Sequence, residues 1–563
     1  MSLGSVRPRV WLVVFAAMGM SLGVSPRLSA QGGEPRSFAI RGAKVVPVGS
    51  APVENETVVV SRGVITAIGT NVTIPADAWV IDGKGLIVYP GLIDGFTDVG
   101  LAPAQSGAGA PSGGGGGGGG GQQAAVSRGP EDRPLTTPWR NAADEVNPND
   151  PKIDSWRAAG FTTTISAPKA GIFPGQAAIL DLGGERPGNF VVKQPVAIPV
   201  SLQTSGGFRN FPSSLMGSIA YVRQVWLDTN WSTQAEAAYE KSRRGTERPK
   251  YDRTEATLAE ALGKHAVVLI PGNTSLQIRR ALQLVEEWKL HAVLYGGQMG
   301  YAVAPEIAAK KMAVLVDLKW PEAEKDADPE AIPSLRTLRF RDRAPSSPAA
   351  LEQAGVKFAF YSGGMATPKD ILPAVKKAID AGLSPEAALR ALTLSPAEIF
   401  GVADATGSIE KGKIANLVVT DGDLFDKKTK VKMVFVDGRK YEVREPIRPS
   451  EPPKGDLTGK WKLTYTTPEG DEESTADLTM ASDGTLSGTV AGTRGTGNVF
   501  SGYLSGDKFN FMISLPINGS PTDVTFTGTF DGKTMKGSIS AMGYTFEFTG
   551  TKPSHATLAA GAQ

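Results

Sequence analysis

The strongest constraint on the fold is an alternation of apolar runs and helix-like segments between about residues 150 and 400. The apolar runs include FTTTISA, PVAIPVSL, AVVLIPG, AVLYGG, MAVLVDL and KFAFYSGG, and segments of helical periodicity such as TSLQIRRALQLVEEWK lie between several of them. Continuous Val, Ile and Leu runs indicate strands that are covered on both faces, and intervening helices indicate parallel pairing. The pattern predicts an α/β fold, either a (β/α)8 TIM-like barrel or a doubly wound sheet.

Segments rich in β-strand patterns lie on both sides of this region. Residues 38–90 and 405–445 read as short strands divided by turns, and residues 384–402 read as a helical pair broken at Ser395-Pro396. Beyond a Pro-rich linker, residues 446–455, the stretch 456–550 alternates polar and apolar residues between Asp-Gly and Gly-Asp turns. This predicts a separate C-terminal antiparallel barrel or sandwich of roughly eight strands.

The first thirty residues predict export from the cytoplasm. Arg7 and Arg9 precede an apolar run from Val10 to Leu22, and Ala30 offers a small residue for cleavage before Gln31. The run is shorter than a membrane-spanning helix requires, so a retained anchor is the lesser alternative. We expect residues 1–30 to be a signal peptide and the mature protein to be periplasmic or extracellular, with no stable membrane anchor.

A glycine-rich stretch interrupts the region that we assign to the barrel, residues 91–404. Residues 103–135 include nine consecutive glycines, Gly113 to Gly121. Such a stretch buries too little apolar surface to offset its ordering entropy, which predicts a flexible surface insertion. No Lys-Ser or Lys-Thr follows the glycines, so a phosphate-binding loop is not indicated.

The composition excludes several classes of function. Lys and Arg number 59 against 57 Asp and Glu, and no basic stripe with interleaved aromatics is present, so nucleic acid is not an expected partner. The chain has no Cys and only three His. Thiolate catalysis, iron–sulfur clusters and Cys-ligated zinc are therefore excluded.

The two ends of the α/β region resemble the amidohydrolase superfamily. The resemblance rests on VVVSRGVITAIG, on VIDGKGLIVYPGLIDGFTDVGL, and on GLSPEAALRALTLSPAEIFGVADATGSIEKGKIANLVVTDGDLF about three hundred residues later. Internal stretches such as NAADEVNPNDPKIDSWRAAGFTTTISAPKAGIFPGQAAIL look most like the periplasmic branch of that superfamily. The resemblance implies a (β/α)8 barrel whose flanking segments combine into one composite β-sandwich.

The resemblance also implies zinc or another divalent cation, which these residues do not match. Family members bind metal through an H-x-H on the first barrel strand, a carboxylated Lys or a Glu on the fourth, a His on each of the fifth and sixth, and an Asp on the eighth. Here Phe96 and Asp98 stand in place of the first two His, Ile270 and Pro271 end the fifth strand, and the remaining positions hold other residues: Tyr295 or Gly296 on the sixth strand and Gly363 beside Ser362 on the eighth. We therefore expect no resident cofactor.

Other sources of chemistry remain as alternatives. His265 and His291 each precede a strand, which places them at the end of the barrel opposite its active-site face, and His555 lies in the polar tail. Asp98 and Asp317 could share a hard cation such as Mg²⁺ or Mn²⁺. Ser362 and Ser213-Ser214 lack a G-x-S-x-G elbow, and a Ser–Lys pair with Lys169 or Lys319 stays open.

Two functional hypotheses follow. The first is a hydrolase of small amides or cyclic amides that uses a non-standard oxygen-ligand metal site. The second, which we favour, is a catalytically degenerate relative that keeps the fold and binds a small molecule or another partner, because function follows the site and not the fold. The candidate pocket residues near the barrel mouth are Phe96, Asp98, Tyr295, Gln298, Asp317 and Ser362.

Overall fold

The fold was analysed in a computed structural model of the chain. It describes residues 37–102, 133, 135–184, 186–202, 212–323, 332–365, 367–443, 451–467, 470–493, 495–517, 520–541 and 544–552. The predicted signal peptide, His555 and all of the glycine-rich insertion except Arg133 and Leu135 lie outside these residues.

The strands fall into three groups along the chain. The first five are β1 (Ser37–Val45), β2 (Val53–Ser61), β3 (Val64–Gly69), β4 (Trp79–Asp82) and β5 (Ile87–Pro90). The next eight are β6 (Leu92–Thr97), β7 (Phe161–Ser166), β8 (Ala177–Asp181), β9 (Val191–Pro199), β10 (Val267–Gly272), β11 (Ala292–Gly296), β12 (Ala313–Asp317) and β13 (Phe358–Tyr361). The last group is β14 (Leu417–Thr420), β15 (Val431–Val436), β16 (Arg439–Glu442), β17 (Gly459–Thr467), β18 (Gly470–Met480), β19 (Thr485–Gly492), β20 (Gly495–Ser505), β21 (Lys508–Ile517), β22 (Ser520–Phe530), β23 (Thr534–Ala541) and β24 (Tyr544–Thr551).

The α-helices all lie between β6 and β14. They are α1 (Pro151–Ala158), α2 (Pro187–Phe190), α3 (Leu215–Lys241), α4 (Arg253–Gly263), α5 (Ser275–Trp288), α6 (Ala304–Ala309), α7 (Leu335–Arg343), α8 (Ser347–Gln353), α9 (Ile371–Asp380), α10 (Pro385–Ala391) and α11 (Leu394–Ile399). Short 3₁₀ turns cover Ala142–Glu145, Gly300–Ala302, Ala344–Ser346 and Pro368–Asp370. Among the described residues no helix is both long and apolar enough to cross a membrane.

The segments before and after the barrel combine into one sheet. Its strand order is β16-β15-β14-β5-β1-β2-β3, with β4 paired to β1. The junction is the antiparallel pair β5–β14, in which Pro90 lies opposite Leu417 and Val88 opposite Val419. This pairing confirms the composite arrangement and decides against the doubly wound alternative.

The second sheet forms a nearly closed eight-stranded barrel in the order β6 to β13. The two ends meet where Gly95 on β6 faces β13, and a Cβ atom at Gly95 would lie 2.7 Å from the Phe360 carbonyl oxygen. Glycine therefore allows the strands to approach closely enough to complete the ring. The predicted TIM-like barrel is confirmed.

One strand of the barrel departs from the predicted parallel pairing. β8 runs antiparallel to both β7 and β9, whereas the other neighbouring pairs are parallel. The expectation of parallel pairing throughout was wrong at β8. No α-helix lies between β7 and β8, and a parallel pair needs a long crossover connection that returns the chain to the same end of the sheet.

The C-terminal region folds as a second barrel of a different kind. Strands β17 to β24 pair antiparallel with their neighbours, and β24 closes on β17. Its interior is packed with large apolar side chains, among them Trp461, Phe511, Phe526 and Phe548. Phe511 and Phe526 stack with ring centroids 4.7 Å apart. The predicted antiparallel β-domain is confirmed as a closed barrel with a filled interior.

Candidate functional site at the barrel mouth

The candidate residues lie where the parallel strands end, which is the face that carries active sites in this architecture. Phe96 is on β6, Asp98 directly follows it, Tyr295 is on β11 and Asp317 ends β12. Ser362 follows β13, and Gln298 follows β11 by two residues. All six candidate residues therefore lie at or near the carboxyl ends of the barrel strands.

Three aromatic rings occupy the upper barrel interior. The Phe96 ring centroid lies 5.2 Å from that of Tyr295 and 5.9 Å from that of Tyr361. Phe96 and Tyr361 are buried, and the Tyr295 hydroxyl donates a hydrogen bond to the Val200 carbonyl oxygen at 3.0 Å. Burial raises the pKa of both tyrosine hydroxyls well above its usual range, so both stay neutral. We call Phe96, Tyr295 and Tyr361 the aromatic trio.

Asp94 ties β6 to β13 and to α1 from a buried position. Its carboxylate accepts the Ser362 backbone N–H at 3.0 Å and the Trp156 indole N–H at 3.1 Å. Burial raises the pKa of Asp94, and these donors only partly oppose that effect. The side chain is 1% exposed, so it holds the barrel together and does not face a substrate.

Asp98 lies in an ion-pair network at the rim. Its two carboxylate oxygens are 3.2 Å from the Lys169 Nζ and 3.4 Å from the Lys152 Nζ. Partial burial raises the pKa of Asp98, but the two lysines outweigh that effect and leave the pKa below its ordinary value. Lys169 also favours the ionised forms of Asp94 and Asp317. One ammonium group therefore acts on three carboxyls of the mouth.

Asp317 is enclosed by its own strand end and by β13. Its carboxylate accepts the Lys319 backbone N–H at 2.8 Å and the Tyr361 hydroxyl at 3.4 Å. A Cβ atom at Gly363, which has φ +61°, would lie 1.8 Å from a carboxylate oxygen of Asp317. Burial raises the pKa of Asp317 to about 6. Gly363, at the position where the family's Asp is expected, is thus required for the Asp317 carboxylate to fit.

Gln298 and Ser214 hydrogen-bond to backbone groups of the fold, and Ser362 is buried. The Gln298 amide donates to the Lys319 carbonyl oxygen at 2.7 Å, and Ser214 caps α3 by accepting the Gly217 backbone N–H at 3.1 Å. Among the described residues the buried Ser362 hydroxyl has no partner of normal hydrogen-bond geometry, although it lies close enough to Asp94 to favour its ionised form. Neither Lys169 nor Lys319 hydrogen-bonds to Ser362 within the described part of the chain, so the Ser–Lys pair is not formed.

The two histidines within the described residues lie away from the mouth. His265 and His291 immediately precede the apolar starts of β10 and β11, and both are exposed. Their backbone groups form local contacts: the His265 N–H bonds to the Leu262 carbonyl, and the His291 carbonyl accepts from Val268. They lie at the opposite end of the strands from Asp317, as the sequence predicted.

The donor set does not fit the divalent cation that the fold implies. Within the described residues no group of three or more His, Asp or Glu side chains could hold a metal ion. The sequence places Phe96 at the first H-x-H position and Tyr295 or Gly296 at the sixth-strand position. Asp98 is paired with two lysines. The sequence left open that Asp98 and Asp317 share a hard cation. In the structure the positive charge of Lys169 acts on both carboxyls.

Comparison with known proteins agrees with this architecture. The sequence profile of the Amidohydrolase family matches residues 321–441, which run from the end of the barrel into the composite sheet. The crystal structure of an amidohydrolase from Thermotoga maritima MSB8 is similar over 72% of this chain and 100% of that chain, with 24% identity and a TM-score of 0.59. The resemblance to the amidohydrolase superfamily is confirmed.

Other similar structures are more distant. A Xaa-Pro dipeptidase with bound methionine has 16% identity and a TM-score of 0.42, over 72% of this chain and 100% of that chain. Phenylurea hydrolase B has 15% identity and a TM-score of 0.43, over 72% of this chain and 97% of that chain. No curated protein sequence matches the chain significantly. At 24% identity the Thermotoga maritima structure shows the fold of this chain and not its substrate.

Sequence reasoning missed several residues that shape the mouth. Tyr361 was read as part of an apolar strand, and Trp156 was not singled out, because both residue types are common in ordinary cores. Lys152 gave no signal because a lysine near the start of a helix is unremarkable. Lys152 and Lys169 reach Asp98 because three separate chain segments come together in the fold. A sequence pattern within one segment does not show this contact.

Proposed function

We propose that this protein is a metal-independent, catalytically degenerate amidohydrolase-fold protein of the cell envelope that binds a small molecule at its barrel mouth. The observation that carries the proposal is the aromatic trio. Phe96 stands where the first histidine of the family's H-x-H motif is expected, and Tyr295 is one of two residues at the expected sixth-strand position. Their ring centroids lie 5.2 Å apart. Carbon atoms of these rings fill volume that a coordinated cation and its water would need.

The electrostatics of the mouth support the same proposal. In metal-dependent relatives a cation lowers the pKa of its bound water to about 7, which supplies the nucleophile. Here the positive charge that faces Asp98 comes from Lys169 and Lys152. An ammonium group balances nearby carboxylates but does not ionise water in this way. The charge balance of the site is therefore kept without its hydrolytic chemistry.

The remaining groups do not supply an alternative nucleophile with its base. Ser362 is 1% exposed and has no histidine or lysine partner among the described residues. Asp94 is fully engaged by Ser362 and Trp156. Asp317 has a pKa of about 6, which suits proton transfer, but its carboxylate is held by Lys319 and Tyr361.

Metal content and turnover test the proposal together. The mature protein would be dialysed against Zn²⁺ and separately against Mn²⁺, desalted and analysed for metal, and each sample tested on N-acyl amino acids and cyclic amides. We expect far less than one metal ion per chain and no turnover above the buffer rate. Stoichiometric metal, with turnover that a chelator abolishes, would establish the active hydrolase instead.

A matched pair of variants makes this result specific. If an oxygen-ligand site operates, Asp98→Asn and Asp317→Asn should each abolish metal retention and turnover. Under our proposal neither variant changes metal content, because the wild-type mouth holds none. Glu306→Gln serves as the control, since Glu306 is an exposed surface carboxylate paired with Arg279.

The proposed location has its own test. The full chain would be expressed in a Gram-negative host and fractionated by osmotic shock, and the N-terminus of the recovered protein would be sequenced. We expect a periplasmic protein that begins at Gln31, because the residues that precede it carry the charge and apolar pattern of a secretory signal. Recovery of the uncleaved chain from the membrane or the cytoplasm would contradict this location.

A further inference from the structure

A cavity of about 280 Å³ opens beside the aromatic trio. It lies over the carboxyl ends of β9, β10 and β11, and its lining includes Leu202, Leu215, Pro271, Arg280, Leu284 and Tyr295. The Tyr295 ring therefore contacts Phe96 on one side and lines this cavity on another. The volume is near the lower end of the range for small-molecule pockets in proteins.

Residues of α5 and the first residue of α3 line the cavity. On α5, Gln277, Arg280, Ala281 and Leu284 recur at helical spacing and all line it. Across from them α3 begins at Leu215, which lines both this cavity and a shallower one of about 450 Å³. The shallower cavity continues along α3 over Met216, Ile219 and Ala220, and its lining also includes Arg223 and Arg280. Arg280 thus stands where the two cavities meet.

Arg280 differs from the arginines around it. Arg279 forms a 2.7 Å salt bridge with Glu306, and Arg223 forms one of 2.9 Å with Glu287. Arg280 has no carboxylate within salt-bridge distance in the described part of the chain, although it is only partly exposed. A guanidinium group beside apolar surface with no anionic partner is a ready site for a carboxylate.

The linings of the two cavities add no negative charge beside Arg280. None of the residues that line either cavity is Asp or Glu. The first turn of the 27-residue helix α3 has no acidic residue, and its N-terminal end opens at Leu215 on the same cavity. A helix N-terminus carries partial positive charge, so it adds to the attraction of an anion to this place.

We propose that this cavity binds a small monocarboxylate with an unbranched apolar tail, whose carboxylate pairs with Arg280 and whose tail lies along Leu215, Leu284 and Tyr295. The inference deepens the proposed binding function by naming the ligand class. The apolar lining sets the requirement for a tail, and the single unpaired guanidinium sets the requirement for one negative charge. A dicarboxylate would place its second charge against apolar surface at a cost in free energy.

Titration calorimetry with defined probes tests this site on the mature full-length protein. The probes are butanoate, hexanoate and octanoate, with octanamide as the neutral analogue of octanoate. We expect octanoate to bind at least tenfold more tightly than octanamide, because octanamide cannot form the charge-assisted pair. Affinity should also rise from butanoate to octanoate, by up to about fourfold for each buried methylene group.

Variants on one helix separate the site from general effects. Arg280→Gln should weaken octanoate binding roughly tenfold to hundredfold and leave octanamide binding unchanged. Arg279→Gln, one residue earlier on α5, should leave octanoate binding unchanged because Arg279 is paired with Glu306. The melting temperature of Arg280→Gln should match that of the wild type, because no salt bridge within the described residues is lost.

Three outcomes would overturn the assignment: no octanoate binding, equal affinity for octanoate and octanamide, or unchanged octanoate affinity in Arg280→Gln. Failure of the proposed function would look different. Stoichiometric metal with amide turnover would refute the degenerate mouth and leave the carboxylate titration as it is. Conversely, absence of carboxylate binding with no metal would refute only the ligand class.

Discussion

The chain contains two eight-stranded barrels that are built on opposite plans. The α/β barrel carries buried carboxyls, and burial raises the pKa of both Asp181 and Asp317 to about 6. In the C-terminal barrel Ser474 is the one polar side chain that is buried among the described residues. There the exposed Asp531 has its pKa lowered to about 2 by hydrogen bonds from Thr534 and Lys533. Buried carboxyl groups can bind ligands or protons at a cost in stability, whereas an apolar interior mainly stabilises the fold.

The largest expected effect belongs to the apolar barrel. Trp461 is 0% exposed, packs edge-to-face on Phe530 and donates its indole N–H to the Leu457 carbonyl at 2.8 Å. Trp461→Ala should lower the free energy of unfolding by about 3–5 kcal/mol, because it removes buried surface and leaves a cavity. Urea unfolding, monitored by hydrogen exchange of the amides in β17 to β24, measures this change in the free energy of unfolding. A loss below about 1 kcal/mol would show that this interior is loosely packed.

A pH-dependent loss of stability is expected in the α/β barrel. Asp181 accepts hydrogen bonds from Thr163 and Asn416, yet burial raises its pKa from 3.8 to about 6. The folded state therefore holds its proton more tightly than the unfolded state. The contribution of Asp181 to the free energy of unfolding is constant below about pH 4 and falls as the pH rises to about 6. Above that pH the contribution stays lower by about 3 kcal/mol.

Chemical denaturation at pH 4 and at pH 6.5 tests this sign. Asp181→Asn should remove the share of the pH dependence that Asp181 contributes, while the share of Asp317, whose pKa is raised in the same direction, remains. Asp523→Asn, in β22 of the C-terminal barrel, is the control. A wild-type protein that is equally stable or more stable at pH 6.5 would contradict the comparison of the two interiors.

A smaller effect is expected at the seam of the α/β barrel. Gly95→Ala would place a methyl group 2.7 Å from the Phe360 carbonyl oxygen, which forces β6 and β13 apart. We expect a loss of about 1–3 kcal/mol, typical of overpacking. Gly263→Ala is the matched control, because Gly263 lies in α4 and nothing would be within 4 Å of the new Cβ atom. Thermal unfolding of both variants measures the difference in stability. Equal melting temperatures would mean that β6 and β13 are not tightly packed at Gly95.

The smallest effect on stability is expected at the rim. Lys169→Met removes the 3.2 Å ion pair with Asp98, but both side chains are more than a third exposed, so the free energy of unfolding should change by less than about 1 kcal/mol. The pKa of Asp98 should rise, because Lys169 contributes the largest favourable interaction with its charged form. Carbon-13 NMR titration of the Asp98 carboxyl measures the shift. An unchanged pKa would remove Lys169 from the electrostatics of the mouth.

Much of the architecture was predictable because it rests on periodicity. Apolar runs between helical segments gave the α/β barrel, and the turn-separated strands gave the composite sheet and the second barrel. Two local features were not predictable in this way. Pro396 does not break the helical pair but lies in the first turn of α11, where no intrahelical N–H bond is lost, and the break falls before it at Thr393. The direction of β8 depends on its connections and not on its own residues.

The candidate site was predictable in position but not in arrangement. The replacement of a metal ligand by Phe96 could be read from the sequence through the H-x-H motif, and the sixth-strand position could be narrowed to Tyr295 or Gly296. That the rings of Phe96 and Tyr295 would meet each other, and that Phe96 would meet Tyr361, depends on the closure of the barrel. Arg280 gave no signal, because an arginine followed by an apolar residue four positions later is common on surface helices. Its significance lies in its place on the lining of two cavities and in the absence of a carboxylate partner among the described residues, which the sequence pattern of one helix does not show.

Zinc-edge anomalous diffraction from crystals of the mature protein soaked in Zn²⁺ tests the central claim most directly. The account predicts no anomalous peak inside the barrel mouth, and electron density for the rings of Phe96, Tyr295 and Tyr361 in mutual contact. A zinc peak at full occupancy between Asp98 and Asp317, with Lys169 displaced from Asp98, would contradict it.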